Sequence, residues 1–152
     1  MTREQPWPAP QPFRYDVFIS YRQREPDQSW VRGILLPALK REGFRVMIDF
    51  ESFRLGAAVV DEIEKAVVES RYTLAVLTPE YLRSNFTKIE NLMAESLGLE
   101  QSQRRLLSVM RVACDPGLRI RTRLWLDMTD DTQFETNLSR LASELRLDPA
   151  EE

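Results

Sequence analysis

A chain of 152 residues with 43% hydrophobic and 30% charged content has the size and balance of one soluble globular domain with a real core. A net charge of -3 and a pI near 5.2 argue against a general nucleic-acid binder. The absence of histidine removes Ser/His/Asp triads, Cys/His pairs and His-ligated metals, and leaves any catalysis to carboxylates, arginines, hydroxyls and aromatic rings.

The single cysteine, Cys114, permits no intramolecular disulfide and suits a reducing cytoplasm. No apolar run approaches the roughly 18 residues of a membrane span, so a membrane partner is not expected. Neither GxxxxGK[ST] nor GxGxxG occurs, and five glycines are too few for a phosphate-cradling loop. Six arginines between Arg104 and Arg123 read as a solvated or partner-facing strip.

Residues 1–14 carry Pro at 6, 8, 10 and 12, a spacing that favours extended polyproline II and reads as a tail or linker. The opposite end, 148–152, reads likewise, so that 15–147 is the expected domain and the chain one module of a larger protein, joined to a sensor domain or sensor partner.

Between the tails, strand and helix patterns alternate. YDVFIS (15–20) is a short β-rich run. Asp27 or Ser29 then stands where a helix cap belongs, ahead of a stripe of Trp30, Ile34, Leu35 and Leu39 that stops near Gly43. FRVMID (44–49) reads as the second strand, and a helix over 58–69 buries Val60, Ile63 and Val67. YTLAVLT (72–78) is an almost continuous apolar run of the kind found mid-sheet with both faces covered, and Pro79 marks its end.

RSNFTKIENLMAE (83–95) reads as the opening of an amphipathic helix with a stripe of Phe86, Ile89, Met93 and Leu97. RLLSVMRV and RLWLD supply two further strands. A last helix carries Phe134, Leu138, Leu141 and Leu145. Five strands interleaved with helices predict an α/β fold, a parallel, doubly wound sheet with helices on both faces.

Such sheets bind ligands beyond the carboxyl ends of their strands. The loops SYRQREPD, DFESFRLGAA and TPEYLRSNF therefore gather Arg22, Arg54, Ser84 and Glu90 near one crevice. Phe50, Phe53 and Leu55 lie in the second loop, where apolar side chains point to a protein contact.

YDVFISYRQRE, the run from Gly43 to Phe86, and the aromatic-x-x-x-Glu of FTKIE together resemble a TIR domain, the Toll/interleukin receptor family, in its bacterial form. The resemblance runs from about Tyr15 to Leu147 and implies a flavodoxin-like, five-stranded parallel sheet. It also implies one of two jobs. Many bacterial and plant members cleave the nicotinamide–ribose bond of NAD+, as effectors of immunity and anti-phage defence, whereas animal receptor and adaptor members are scaffolds for other TIR domains.

The enzymatic members use the glutamate of the aromatic-x-x-x-Glu motif, here Glu90. By the same resemblance Tyr21 and Arg22 match a position that touches the nucleotide, and Ser84 is a pocket hydroxyl. Phe86 stands where the family usually has Trp, keeping a ring without the indole N–H. Arg54 is assigned to the pocket at a position where the family varies. The loop from Phe50 to Gly56 is the family's assembly loop, through which copies pack and complete one another's sites. Trp125 matches the last aromatic strand motif and reads as core.

The chemistry fits the composition. NAD+ carries a cationic leaving group that departs as neutral nicotinamide, so no general acid is required and one carboxylate against the ribose suffices. NAD+ is then a substrate and no cofactor is called for. Glu90 retains a second reading: it follows Thr87 by three residues, the spacing of a capping box. Ser84 likewise has the spacing of an ordinary N-cap.

Overall fold

The structure, a computed structural model, describes residues 13–48, 59–115 and 125–149. Five parallel strands form one sheet: β1 (Tyr15–Ser20), β2 (Val46–Met47), β3 (Ser70–Leu77), β4 (Leu106–Met110) and β5 (Leu126–Asp127). Their order is β2-β1-β3-β4-β5. Chain direction across the sheet reverses between β1 and β3, where Ile19 faces Leu74 and Ser20 faces Ala75. A doubly wound sheet opens its ligand crevice beside such a switch point. The expected flavodoxin-like fold is thus the observed one.

β3 is central, and all eight of its residues are buried, as its unbroken apolar run requires. Alternation then divides the core. Val17, Ile19, Leu74, Val76 and Val109 face one layer, and Phe18, Ala75, Leu77 and Leu106 face the other.

The first layer holds α1, which runs through Asp27–Trp30, a π turn Val31–Leu35, and Leu36–Arg41. It also holds α5, Phe134–Leu145, preceded by a 3-10 turn Asp131–Gln133. The second layer is α2 (Val59–Glu69) and α3, which is continuous through Pro79–Tyr81, a π turn Leu82–Phe86, and Thr87–Leu97. A short α4, Leu99–Arg105, leads into β4.

α1 stops where the glycine predicted. Gly43 takes φ 93°, and its N–H reaches Lys40 O at 3.0 Å while Phe44 N–H reaches Leu39 O at 3.1 Å, a Schellman closure. The start of α1 differs from expectation. Neither Asp27 nor Ser29 caps it: Pro26 occupies the N-cap position, and the Glu25 carboxylate accepts from Ser29 N (2.9 Å) and Ser29 Oγ (2.7 Å). Ile34 also leaves the predicted stripe and is 47% exposed, while Val31 is buried. The π turn adds a residue to the local repeat, which rotates Ile34 outward and brings Leu35 under Trp30.

α3 starts earlier than the sequence suggested. Thr78 is its N-cap, accepting from Tyr81 N at 3.1 Å, and Pro79 opens the first turn. Ser84 and Thr87 therefore lie inside an established helix, where residues 81–87 all have helical backbone. Neither the Ser84 cap nor the Thr87–Glu90 capping box exists, because the N–H groups such caps would satisfy already have helical partners upstream.

β2 is shorter than FRVMID. At its start the buried Asp16 carboxylate accepts from Arg45 N (2.7 Å), Nε (3.2 Å) and Nη2 (2.8 Å), while Asp16 N donates to Arg45 O at 2.8 Å. The described part of the arginine strip is not a uniformly solvated face. Among its described members, Arg105 is buried beneath the end of α2, Arg104 pairs with Glu100 at 2.8 Å, and Arg111 lies 4.7 Å over the Trp30 ring. Val60, Arg54 and the predicted assembly residues Phe50, Phe53, Leu55 and Gly56 fall outside the described side chains.

Candidate functional site

The carboxyl edge of β1 and β3 is crossed by one hydrogen bond, Ser20 Oγ to Tyr81 Oη, 2.8 Å long. Tyr81 is fully buried, and burial raises its phenol well above the ordinary value, so the hydroxyl stays protonated. Five residues further along α3 the Phe86 ring packs against it, with centroids 6.2 Å apart. In a regular α-helix, residues five apart diverge by about 140° around the axis. The π turn Leu82–Phe86 removes most of that divergence and sets both rings on one face.

Glu90, one α-turn beyond Phe86, follows on that face. It is half-buried, and its charge acts on the Tyr81 phenol, raising its pKa further. Ser20, Tyr81, Phe86 and Glu90 thus form one line from the end of β1 into α3. Phe86 is 5% exposed, inside the second-layer core with Met47, Ala66 and Val67. Met47 and Ala66 lie before and after the second loop in the chain, so the two elements that this loop joins share one core cluster with Phe86.

The remaining sequence-predicted residues are distributed around the edge. Ser84 is exposed, with its Oγ 2.8 Å from Glu80 O and 2.7 Å from Asn85 Oδ1. Tyr21 belongs to the other layer, buried in the first core, and its hydroxyl accepts from Arg32 Nε at 2.9 Å. Arg22, directly after it, is partly exposed and lies 3.8 Å from the carboxylate of Asp27 (Nη1 to Oδ2). Phe86 and Glu90 are therefore brought together, whereas Tyr21 packs on the opposite face of the sheet. Trp125 is half-buried and packs against the second-layer core.

Three residues that the structure places at this edge escape the sequence reading. Tyr81 stands off the α-helical stripe and only a π turn makes it a neighbour of Phe86. Ser20 reads as the last residue of a strand. Asp27 was taken for a helix cap, yet it is buried, and that burial raises its pKa, an effect the nearby Glu80 reinforces and Arg22 and Arg111 oppose. Asp27 and Arg111 also line a cavity of about 290 Å³ together with Thr129. Among the described residues no three acidic or thiol side chains converge to hold a metal ion, and no helix is long and apolar enough to cross a membrane.

Comparison with known proteins agrees with this architecture. Residues 17–142 match the family model described as TIR domain. Curated relatives include Protein toll of Drosophila melanogaster, 25% identical over 99 residues (64% of this chain, 9% of that protein). Toll-like receptor 12 of Mus musculus is 37% identical over 92 residues (56% of this chain, 10% of that protein). The chain thus spans about a tenth of these relatives' length.

Among solved structures, the TIR domain of the Toll-related receptor TRR-2 from Hydra magnipapillata superposes with a TM-score of 0.72 at 20% identity, covering 87% of this chain and 98% of that one. A metazoan TIR-STING receptor from C. gigas gives 0.67 at 22% identity, over 90% and 42% of the two chains. At these identities the likeness concerns the fold. With the family model covering most of the sequence, this chain belongs to the TIR-domain family.

Proposed function

We propose that this TIR domain is an NAD+ nucleosidase with Glu90 as its catalytic carboxylate, of the bacterial NAD+-cleaving type and serving as a cytoplasmic effector module in immune signalling. The observation that carries the reading is the setting of Glu90. It lies in the fourth turn of a helix that begins at Pro79, so the capping role that would otherwise explain it is unavailable. It is also only half-buried, on the face that Phe86 and Tyr81 fix to the end of β1.

In the proposed reaction the Glu90 carboxylate holds the ribose hydroxyls and faces the positive charge that grows on the ring as the C–N bond lengthens. The bond electrons leave with the pyridinium, giving neutral nicotinamide. Water then adds at the ribose carbon and loses a proton, giving ADP-ribose; an internal nucleophile of the same molecule gives a cyclic product instead. Arg22 meets the pyrophosphate, Phe86 acts by fixing the turn that carries Glu90, and Ser84 and Arg54 complete the proposed substrate set. Self-association through TIR–TIR contacts, with the 50–56 loop of one copy meeting its neighbour, is the proposed mode of activation.

A second reading, a non-catalytic TIR–TIR scaffold, draws on the Toll and Toll-like receptors among the relatives. One experiment separates the two: parent and Glu90→Gln protein are incubated with NAD+ over a hundredfold range of protein concentration, and free nicotinamide is resolved by chromatography. The nucleosidase reading expects release by the parent, rising per milligram with concentration, and a loss on the order of 100-fold in Glu90→Gln with little change in melting temperature. No release by the parent at any concentration supports the scaffold, whereas equal release by both proteins overturns the assignment of Glu90 as the catalytic carboxylate.

A further inference from the structure

Asp27 sits at the first helical position of α1, one residue past the N-cap Pro26, and makes no side-chain cap. The N–H it would serve is taken by Glu25, which accepts from Ser29 N at 2.9 Å. Asp27 is instead turned inward and 4% exposed, and among the described residues its Oδ2 makes no hydrogen bond. That is a costly way to keep a carboxylate. The same molecule shows the alternative in Asp16, equally buried, which accepts from three Arg45 nitrogens.

The groups facing Asp27 come from three elements: Arg22 from the loop after β1, Arg111 after β4, and Glu80 at the start of α3. Arg111 is already committed, donating to Asp131 Oδ1 (2.7 Å) and to Met128 O (3.1 Å). Glu80 repels. Arg22 alone of the three is a cation whose position Asp27 decides, and at 3.8 Å the contact is longer than a hydrogen bond. The guanidinium is therefore oriented by charge while its N–H groups remain able to meet an anion.

We propose that Asp27 is a positioning residue for Arg22, holding the guanidinium at the carboxyl edge of β1 for the pyrophosphate of a nucleotide. This rests on the reading of Arg22 as the nucleotide contact, but not on the catalytic role of Glu90. The Asp27 carboxylate touches no substrate. Its effect passes through Arg22, so a nucleotide lacking the pyrophosphate does not register it.

The test is calorimetric binding of ADP-ribose and of inorganic pyrophosphate to the parent, Asp27→Asn, Arg22→Ala and the double variant, alongside melting curves. Loss of one charge-assisted arrangement corresponds to binding about tenfold weaker in Asp27→Asn. The same variant should melt no lower than the parent, because an amide removes a buried charge. The double variant should bind no more weakly than Arg22→Ala alone. If the amide does not fold, Asp27→Ser replaces it.

Unchanged affinity in Asp27→Asn, additive losses in the double variant, or affinity lost only in step with melting temperature each overturn the proposal, as does a parent that binds neither compound. A parent that binds ADP-ribose as described yet releases no nicotinamide from NAD+ removes the nucleosidase reading and leaves this one standing.

Discussion

At the amino edge of the sheet the buried Arg105 guanidinium donates through Nε to Arg71 O and through Nη2 to the carbonyls of Val67, Val68 and Ser70. Arg71 beside it donates to Leu145 O and Leu147 O, both at 2.7 Å. At the carboxyl edge Asp27, also buried, holds the Arg22 guanidinium 3.8 Å away. These Arg105 and Arg71 N–H groups close onto carbonyls at the end of α2 and the end of α5, which cannot leave. The Asp27–Arg22 pair keeps a charge oriented but not bonded. Closed arrangements hold a fold together, whereas open ones leave capacity for a ligand, and these two clusters divide along that line.

The comparison breaks first at Arg105. Replacing it with Leu leaves four buried carbonyls without their shared donor, a defect of roughly 3–5 kcal/mol by analogy with breaking a buried ionic contact. For a domain of this length the melting temperature should fall on the order of 10 °C. Well below that temperature, binding of ADP-ribose per folded molecule should match the parent. A variant that keeps its melting temperature and loses the ligand would place function at the wrong edge.

Titration gives a second, smaller handle, with opposite windows for the two edges. Tyr72 donates from Oη to Leu147 O at 3.0 Å, and burial raises its pKa to about 12. A pKa raised in the folded state means stability fully present below the ordinary value near 10 and lost as pH rises through about 12. Asp27 is also raised, again by burial, so its contribution is present below the ordinary value of 3.8 and is lost as pH climbs through its folded value. Melting curves across pH should show the alkaline slope reduced in Tyr72→Phe and the acidic one reduced in Asp27→Asn. Tyr81, raised as well, retains part of the alkaline slope in the first variant.

The sequence made much of this fold legible for a simple reason: strands and helices are encoded by apolar repeats. β3 reads as central because its run is unbroken, and α5 reads correctly because Leu138, Leu141 and Leu145 keep an α-helical period. Glu90 and Phe86 were placed together by spacing alone. What escaped was local and depended on tertiary context. The π turns at Val31–Leu35 and Leu82–Phe86 change the repeat without any marker residue, so Ile34 was misplaced and Tyr81 overlooked. Thr78 was bypassed as a cap in favour of Ser84, a residue equally suited by type. Asp27 was assigned the job its residue type does most often, and only burial shows that it does another.

The smallest expected effect concerns a well-made polar link at the carboxyl edge, the Ser20–Tyr81 bond. Tyr81→Phe removes the hydroxyl but keeps the ring against Phe86, so the loss is one neutral hydrogen bond, about 1 kcal/mol, or about 2–4 °C in melting temperature. Ser20→Ala should cost the same, and the double variant little more than either alone, since both remove one contact. ADP-ribose affinity should stay within about twofold, because neither oxygen of the bond belongs to the Arg22–Asp27 pair. Should Tyr81→Phe instead weaken ADP-ribose as strongly as Asp27→Asn while melting like the parent, the link would be part of the ligand machinery. The comparison would then set the Arg105 cluster against a carboxyl edge in which the Ser20–Tyr81 bond serves the ligand along with the Asp27–Arg22 pair.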